Sequence, residues 1–194
     1  MTPEEERMYI DQVLAGNTQA YAYLVNLHKD HVFNLCLKIV KNREDAEEVA
    51  QDVFIKAFQA LGSFQHGAKL ATWLYRIAYN TSLNKIKRKK LVKHSIDQEE
   101  YGVAHRTEDT TFESQFNTLK QAQQKYFIQQ ALDQLNEEDQ VLLTLFYLQE
   151  NSIEEITEIT EISKNNVKVK LHRARKKLYK QLAVLLKDEL NELL

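Results

Sequence analysis

The sequence predicts an all-α protein: two small helical domains joined by a flexible acidic linker, the second containing a helix-turn-helix. Three observations lead there. Glycine and proline are scarce, four and one among 194 residues, whereas Leu, Ala, Glu, Lys and Gln, all strong helix formers, are abundant. Apolar residues recur three and four positions apart along most of the chain, which is the spacing of one helix face. Between about Lys93 and Asn117 that period is lost, and Asp97, Glu99, Glu100, Glu108, Asp109 and Glu113 make the stretch acidic. Such a composition buries too little apolar surface to fold alone and reads as a tether. The expected division is therefore a first domain over residues 1–92, a linker over 93–124 and a second domain over 125–194.

Residues 1–92 read as helix after helix. Thr18 is placed to cap a long helix carrying Tyr21, Leu24, Leu27, Val32, Leu35 and Ile39. The chain turns near Asn42 and restarts as REDAEEVAQDVFIKAFQAL, whose buried stripe is Ala46, Val49, Ala50, Val53 and Ala57. Gly62 is expected to end that helix, and GSFQHGAK, with Gly62 and Gly67, forms a loop. The segment TWLYRIAYNTSLNKIKRKK then makes a helix with two unlike faces. At about 100° per residue, Leu74, Ile77, Ala78 and Thr81 form a core stripe. Trp73, Arg76, Asn80, Asn84 and Lys87 follow the same spacing on the neighbouring side. That second stripe offers a flat aromatic, two amides and two cations, which suit stacking on bases, reading base edges and holding phosphates.

Periodicity returns near Tyr126 with Ile128, Ala131, Leu132 and Leu135. Asn136 is a candidate cap for a helix that buries Val141, Leu142, Leu145, Phe146 and Leu148. Ser152 with Glu155 forms a capping-box pattern opening a short helix through Ile153, Ile156 and Ile159. Thr160, Glu161 and Ile162 fit a turn, and Ser163 is placed to cap KNNVKVKLHRARKKL. In that last helix Val167, Leu171, Ala174 and Leu178 face inward, while Asn165, Lys168, Val169, His172, Arg173 and Lys176 face out. A second helix with polar and basic residues outward is how a helix-turn-helix enters the major groove. Its first turn, with Asn165, Asn166 and Lys168, approaches base edges, and the later cations neutralise phosphates.

A formal net charge of −2 suits a DNA-binding chain only because the charge is segregated. Lys85, Lys87, Arg88, Lys89, Lys90 and Lys93 form one basic cluster, and Lys164, Lys168, Lys170, Arg173, Arg175, Lys176, Lys177 and Lys180 another. Acids gather at Glu44, Asp45, Glu47, Glu48 and Asp52, and at Glu150, Glu154, Glu155, Glu158 and Glu161. Separate surfaces for separate partners follow. No apolar run approaches about 18 residues, and MTPEEERMYI is not a secretion signal, so a cytoplasmic protein without membrane insertion is expected. The lone Cys36 excludes an intramolecular disulfide. His28 and His31, three apart with Cys36 further on, lack any Glu-x-x-His or Cys-x-x-Cys companion and fit an ordinary amphipathic helix. Neither a nucleophile constellation nor a phosphate-cradling glycine loop is present. No enzyme activity, metal, cofactor or small-molecule substrate is expected.

DAEEVAQDVFIKAF, TWLYRIAYN and NNVKVKLHRARKKL, in that order with an acidic linker between, resemble the sigma-70 family of bacterial RNA polymerase sigma factors. The extracytoplasmic-function (ECF) group is the nearest likeness, over about residues 15–92 and 125–185. The resemblance implies a transcription initiation factor that binds core RNA polymerase at its clamp and flap regions, recognises the −10 and −35 promoter elements and promotes DNA melting. It assigns polymerase binding to Asp45, Glu48, Gln51 and Asp52, which lie on an acidic face off the buried stripe. It assigns the −10 element to Phe64, Lys69, Trp73, Arg76, Asn80, Asn84, Lys87 and Arg88. The −35 element falls to Asn165, Asn166, Lys168, Lys170, His172, Arg173 and Lys176.

Phe64, Trp73 and Asn80 are candidates for holding a flipped base, although core packing is the alternative for both aromatics. The resemblance also implies an anti-sigma factor as partner, and a linker that imitates nucleic acid in a basic channel; a plain tether is its alternative. Asn84 stands where the family often has Asp, Asn136 where Pro is common, Glu161 where Gly is frequent and Val169 where Ser is frequent. The residues themselves also allow a helix-turn-helix regulator that binds DNA without polymerase.

Overall fold

A computed structural model describes residues 2–64, 69–95 and 126–192, and every regular element among them is helical. The first helix, α1 (Pro3–Leu14), opens on a capping box. Thr2 Oγ1 accepts the Glu5 N–H at 3.2 Å, and Glu5 Oε2 accepts the Thr2 N–H at 2.8 Å. Proline at the first position and Glu4, Glu5 and Glu6 in the first turn suit the donor-rich end. The next helices are α2 (Tyr21–Val40), α3 (Arg43–Ala60) and α4 (Leu70–Ser95). After them come α5 (126–133), α6 (Glu137–Leu143), a π-turn (Thr144–Leu148), α7 (Ile153–Thr160) and α8 (Lys164–Glu192). The described residues divide into two compact units, one holding α1 to α4 with Glu154–Ile162, the other holding α5, α6, the π-turn and α8.

In the first unit α2, α3 and α4 pack on one another and α1 covers α2. Val32, Leu35, Val53, Ala46, Ala57 and Ala78 lose essentially all their solvent exposure. Each of the larger ones contributes about 1.5–3 kcal/mol by leaving water. The buried alanines let neighbouring backbones approach closely, as ridge-into-groove packing requires. Between α2 and α3 the chain reverses at Lys41, which adopts a left-handed conformation (φ +55°), and Asn42 then caps α3 by accepting the Asp45 N–H at 2.8 Å.

Two local expectations in this unit are corrected. Thr18 does not cap α2: residues Thr18–Ala20 form a separate 3-10 turn, and α2 starts at Tyr21 without a side-chain cap. Gly62 is not a left-handed helix terminator either. It lies within a 3-10 turn, Leu61–Ser63, that tightens the end of α3, and a Cβ there would meet Leu14 at an ordinary 3.9 Å.

The second unit buries Ala131, Leu132, Leu135, Val141, Leu142, Leu143 and Leu145 with Val167, Leu171 and Ala174 of α8. Asn136 caps α6 as its sequence suggests, accepting the Asp139 N–H at 2.9 Å. Leu148 is half exposed rather than buried, and Phe146 is only partly covered. The cause is the π-turn, in which the Gln149 N–H reaches back to the Thr144 carbonyl. The wider turn shifts the phase of the helix and rotates Leu148 off the core face. The Asn151 side chain donates to the Leu145 carbonyl at 3.1 Å and fixes the exit from this turn. Tyr126 and Ile128 are also exposed. The acidic stretch assigned to the linker lies outside the described residues from residue 96 to 125.

Candidate nucleic-acid interface

Helix α4 separates its faces as its sequence requires. Leu74, Tyr75, Ala78, Thr81 and Ser82 are buried on the side toward α2 and α3, and Ile77 is half-buried between the faces. Arg76, Asn80, Asn84, Lys87 and Arg88 are exposed. Trp73 is half-buried at the head of that stripe, where its ring lies 5.3 Å from the Phe64 ring, tilted by 48°. Behind them Tyr21, Leu24, Phe54, Ala57, Leu61, Leu70, Trp73 and Leu74 line a small apolar cavity. The aromatic pair is therefore core packing on one side and accessible ring on the other, so the two readings of these residues are not exclusive. Residues 65–68 of the intervening loop are not among the described residues, whereas Lys69 is exposed at the helix start. Within the same unit, Lys69 lies 3.1 Å from a Glu155 carboxylate oxygen and Arg76 2.9 Å from one of Glu161, while Thr72 Oγ1 donates to Glu155 at 3.3 Å.

On α3, Glu48, Gln51 and Asp52 are exposed, opposite the buried Ala46, Val49 and Val53. Asp45 does not share that face. Asp45 is buried, and its carboxylate turns inward to Lys89 and, at 3.7 Å, to Lys85. Lys85 also donates to Glu48 at 2.5 Å. That hydrogen bond, with the neighbouring charges of Glu48 and Asp45, holds the Lys85 ammonium above its usual pKa. Ile55, 56% exposed, extends the Glu48, Gln51 and Asp52 face by one more turn and was not singled out by sequence. Its signal was the spacing: seven residues after Glu48, and off the buried stripe.

In the second unit Asn165, Asn166, Lys168, His172, Arg173 and Lys176 are all exposed along α8, and Val169 shares their face. Lys170 differs. It is half-buried and paired to Glu138 of α6 at 2.5 Å, while Lys177 pairs with Asp139. Arg175, a member of the same basic cluster, stacks over Phe146 and Tyr147 at 5.0 and 5.5 Å. These three cations hold α8 against α6 and the π-turn, whereas the outward row stays exposed. The turn residue Glu161 adopts φ +60°, so this chain accepts a left-handed residue without glycine, at about 1–2 kcal/mol.

Cys36 is fully buried, and burial pushes its thiol up to about 11, far from thiolate chemistry at neutral pH. His28 is buried with its Nε2 2.9 Å from Glu6 Oε1, joining α1 to α2, and His31 is exposed on α2. Among the described residues no group of three or more His, Cys, Asp or Glu side chains is placed to hold a metal, and no helix is long and apolar enough to cross a membrane.

Comparison with known proteins supplies the context for these surfaces. Residues 24–92 match Sigma-70 region 2, and residues 128–178 match Sigma-70 region 4. The ECF RNA polymerase sigma factor SigW of Bacillus subtilis is 35% identical over 181 residues, covering 89% of this chain and 94% of that protein. The RNA polymerase sigma-H factor of Pseudomonas aeruginosa is 28% identical over 193 residues, covering 97% and 99%. Among solved structures, the sigma factor RpoE of Bartonella quintana, crystallised with the anti-sigma factor NepR, shares the fold. Its TM-score is 0.62 at 20% identity, over 84% of this chain and 97% of that one. Identity at this level over nearly the whole of both chains, with the two region matches in order, establishes that this chain belongs to the ECF group of the sigma-70 family of RNA polymerase sigma factors.

Proposed function

We propose that the chain works as a transcription initiation factor through three separate surfaces. Glu48, Gln51 and Asp52 of α3, with Ile55 as an apolar anchor, meet the polymerase clamp. The outward α4 row of half-buried Trp73 and exposed Arg76, Asn80, Asn84, Lys87 and Arg88, with Phe64 and Lys69 at its head, takes the −10 element and stabilises its melted strand. The α8 row of Asn165, Asn166, Lys168, His172, Arg173 and Lys176 reads the −35 element, with Lys170 beneath it as a structural strut. The observation that carries this reading is the exposed α4 stripe, which sets ring, amides and cations in line on a well-packed helix. Stacking on such a ring is worth about 1–3 kcal/mol per base, comparable with the few kcal/mol needed to unstack one.

The protein makes and breaks no bonds itself. It contributes binding energy that positions polymerase in the cytoplasm and traps open DNA. An anti-sigma factor is the expected regulator, covering the same exposed faces. Run-off transcription with core polymerase on fragmented genomic DNA tests the whole reading: discrete RNA 5′ ends sharing two upstream motifs are expected. DNA binding with no polymerase binding and no starts would instead make the chain a helix-turn-helix regulator.

A further inference from the structure

Of the cations that cluster at the end of α4, Lys85 and Lys89 do not lie with the row assigned to DNA. At roughly 100° per residue, both sit about 160° around the helix from Lys87. They prolong instead the line of Leu74, Ala78 and Ser82, which is buried toward α2 and α3. Where that apolar line ends, ion pairs replace it. Lys89 pairs with the buried carboxylate of Asp45, and Lys85 reaches Glu48 at 2.5 Å and Asp45 at 3.7 Å. Asp45 is itself fixed from the other side, its N–H held by the Asn42 cap at 2.8 Å. About two turns beyond Glu48 along α3, Lys56 donates to Thr81 of α4 at 3.2 Å and continues the seam. A phosphate arriving here would face two carboxylates, whereas among the described residues no carboxylate pairs with Lys87 or Arg88.

We infer that Lys85 and Lys89 are positioning residues for polymerase docking: they tie the acidic end of α3 to α4, and they are not DNA contacts. The inference rests on the reading of Glu48, Gln51 and Asp52 as the polymerase face. A buried carboxylate stripped of its partners moves toward water, because leaving it unsatisfied is costly. The first turn of α3 then occupies its docking geometry for a smaller fraction of the time, and apparent affinity falls by that fraction.

The test measures two quantities on the full-length protein: affinity for core polymerase without DNA, and the salt dependence of promoter binding at saturating polymerase. Lys85→Gln and Lys89→Gln combined should weaken polymerase affinity about five- to tenfold. The salt slope of promoter binding should stay unchanged. Lys87→Gln should do the reverse, lowering the slope by about one unit while sparing polymerase affinity. Lys85→Arg with Lys89→Arg should recover most of the lost affinity, since charge and reach are kept. A double glutamine variant that binds polymerase normally but loses about two units of slope would overturn the inference and make both lysines phosphate contacts. Glu48→Gln with Asp52→Asn is the control for the underlying reading. Loss of affinity there but not in the lysine variant rejects the positioning role alone; loss in neither rejects the assignment of the α3 face. A global fold defect is recognised by loss of both quantities together, and the single Lys85→Gln variant, whose lysine leaves Asp45 its pair with Lys89, then decides between the same outcomes.

Discussion

Single residues in this chain are spent on closing helices and on orienting charge. Asn42 and Asn136 do the same task in the two units, each accepting the N–H three residues on. Replacement by alanine at such a cap typically costs about 1 kcal/mol. Cys36 illustrates how burial couples to pH. Its thiol ionises at about 11 in the fold against 9.0 for the free group, so the unfolded chain loses this proton first as pH rises. A raised acid pKa contributes stability that is intact below the unfolded value and is lost between about pH 9 and 11. Tyr21 and Tyr75, both pushed up to about 12 by burial, act in the same direction. Comparing chemical denaturation of the wild type with Cys36→Ala across that window isolates the thiol. The wild type should lose on the order of 2 kcal/mol more than the variant, and equal losses would mean that Cys36 is not buried as described.

At the scale of the element, the two helices proposed to meet DNA use their cations differently along their length. On α8 the outward row of Lys168, Arg173 and Lys176 is exposed, whereas Lys170 and Lys177 are committed to Glu138 and Asp139. Only the first set should release counterions on binding. Replacing Lys168, Arg173 or Lys176 by alanine should each lower the salt slope of −35 binding by about one unit. Lys170→Ala should leave the slope nearly unchanged and instead lower the thermal midpoint modestly, because a part-exposed ion pair is worth less than about 1 kcal/mol. Quantitative footprinting over a salt series, with a melting curve for each variant, separates the two behaviours.

For the whole molecule, near-zero net charge is compatible with DNA binding because part of the cations, Lys87, Arg88, Lys168, Arg173 and Lys176 among them, stay exposed while others are taken up by carboxylates. The proposed division of labour predicts separable failures. Trp73→Ala and Asn80→Ala should impair promoter opening while polymerase affinity is kept, and a template with a pre-melted −10 region should restore most of the lost transcription. Arg173→Ala should weaken promoter binding, and the pre-melted template should not correct it. Equal loss of polymerase affinity in all three variants would show damage to the fold rather than to the surfaces. Abortive-transcription assays on duplex and bubble templates read both effects.

Much of this was legible before any coordinates. Helical class, the cap residue Asn136, and the two faces of α4 and α8 follow from composition and a 3.6-residue period, because each depends on neighbours within one or two turns. The order of three motifs identified the family for the same local reason. Other features depend on partners distant in sequence. Asp45 reads as one more exposed acid until α4 brings Lys85 and Lys89 against it from some forty residues away. Lys170, Lys177 and Arg175 read as DNA cations until α6 and the π-turn are folded beneath them. Leu148 keeps its periodic place on paper, and only the widened turn moves it into solvent. Sequence by itself determined which residue types lie on which face of each helix. Which charges are available to a ligand was decided by tertiary structure alone, because a charge is neutralised by whatever packs beside it in space.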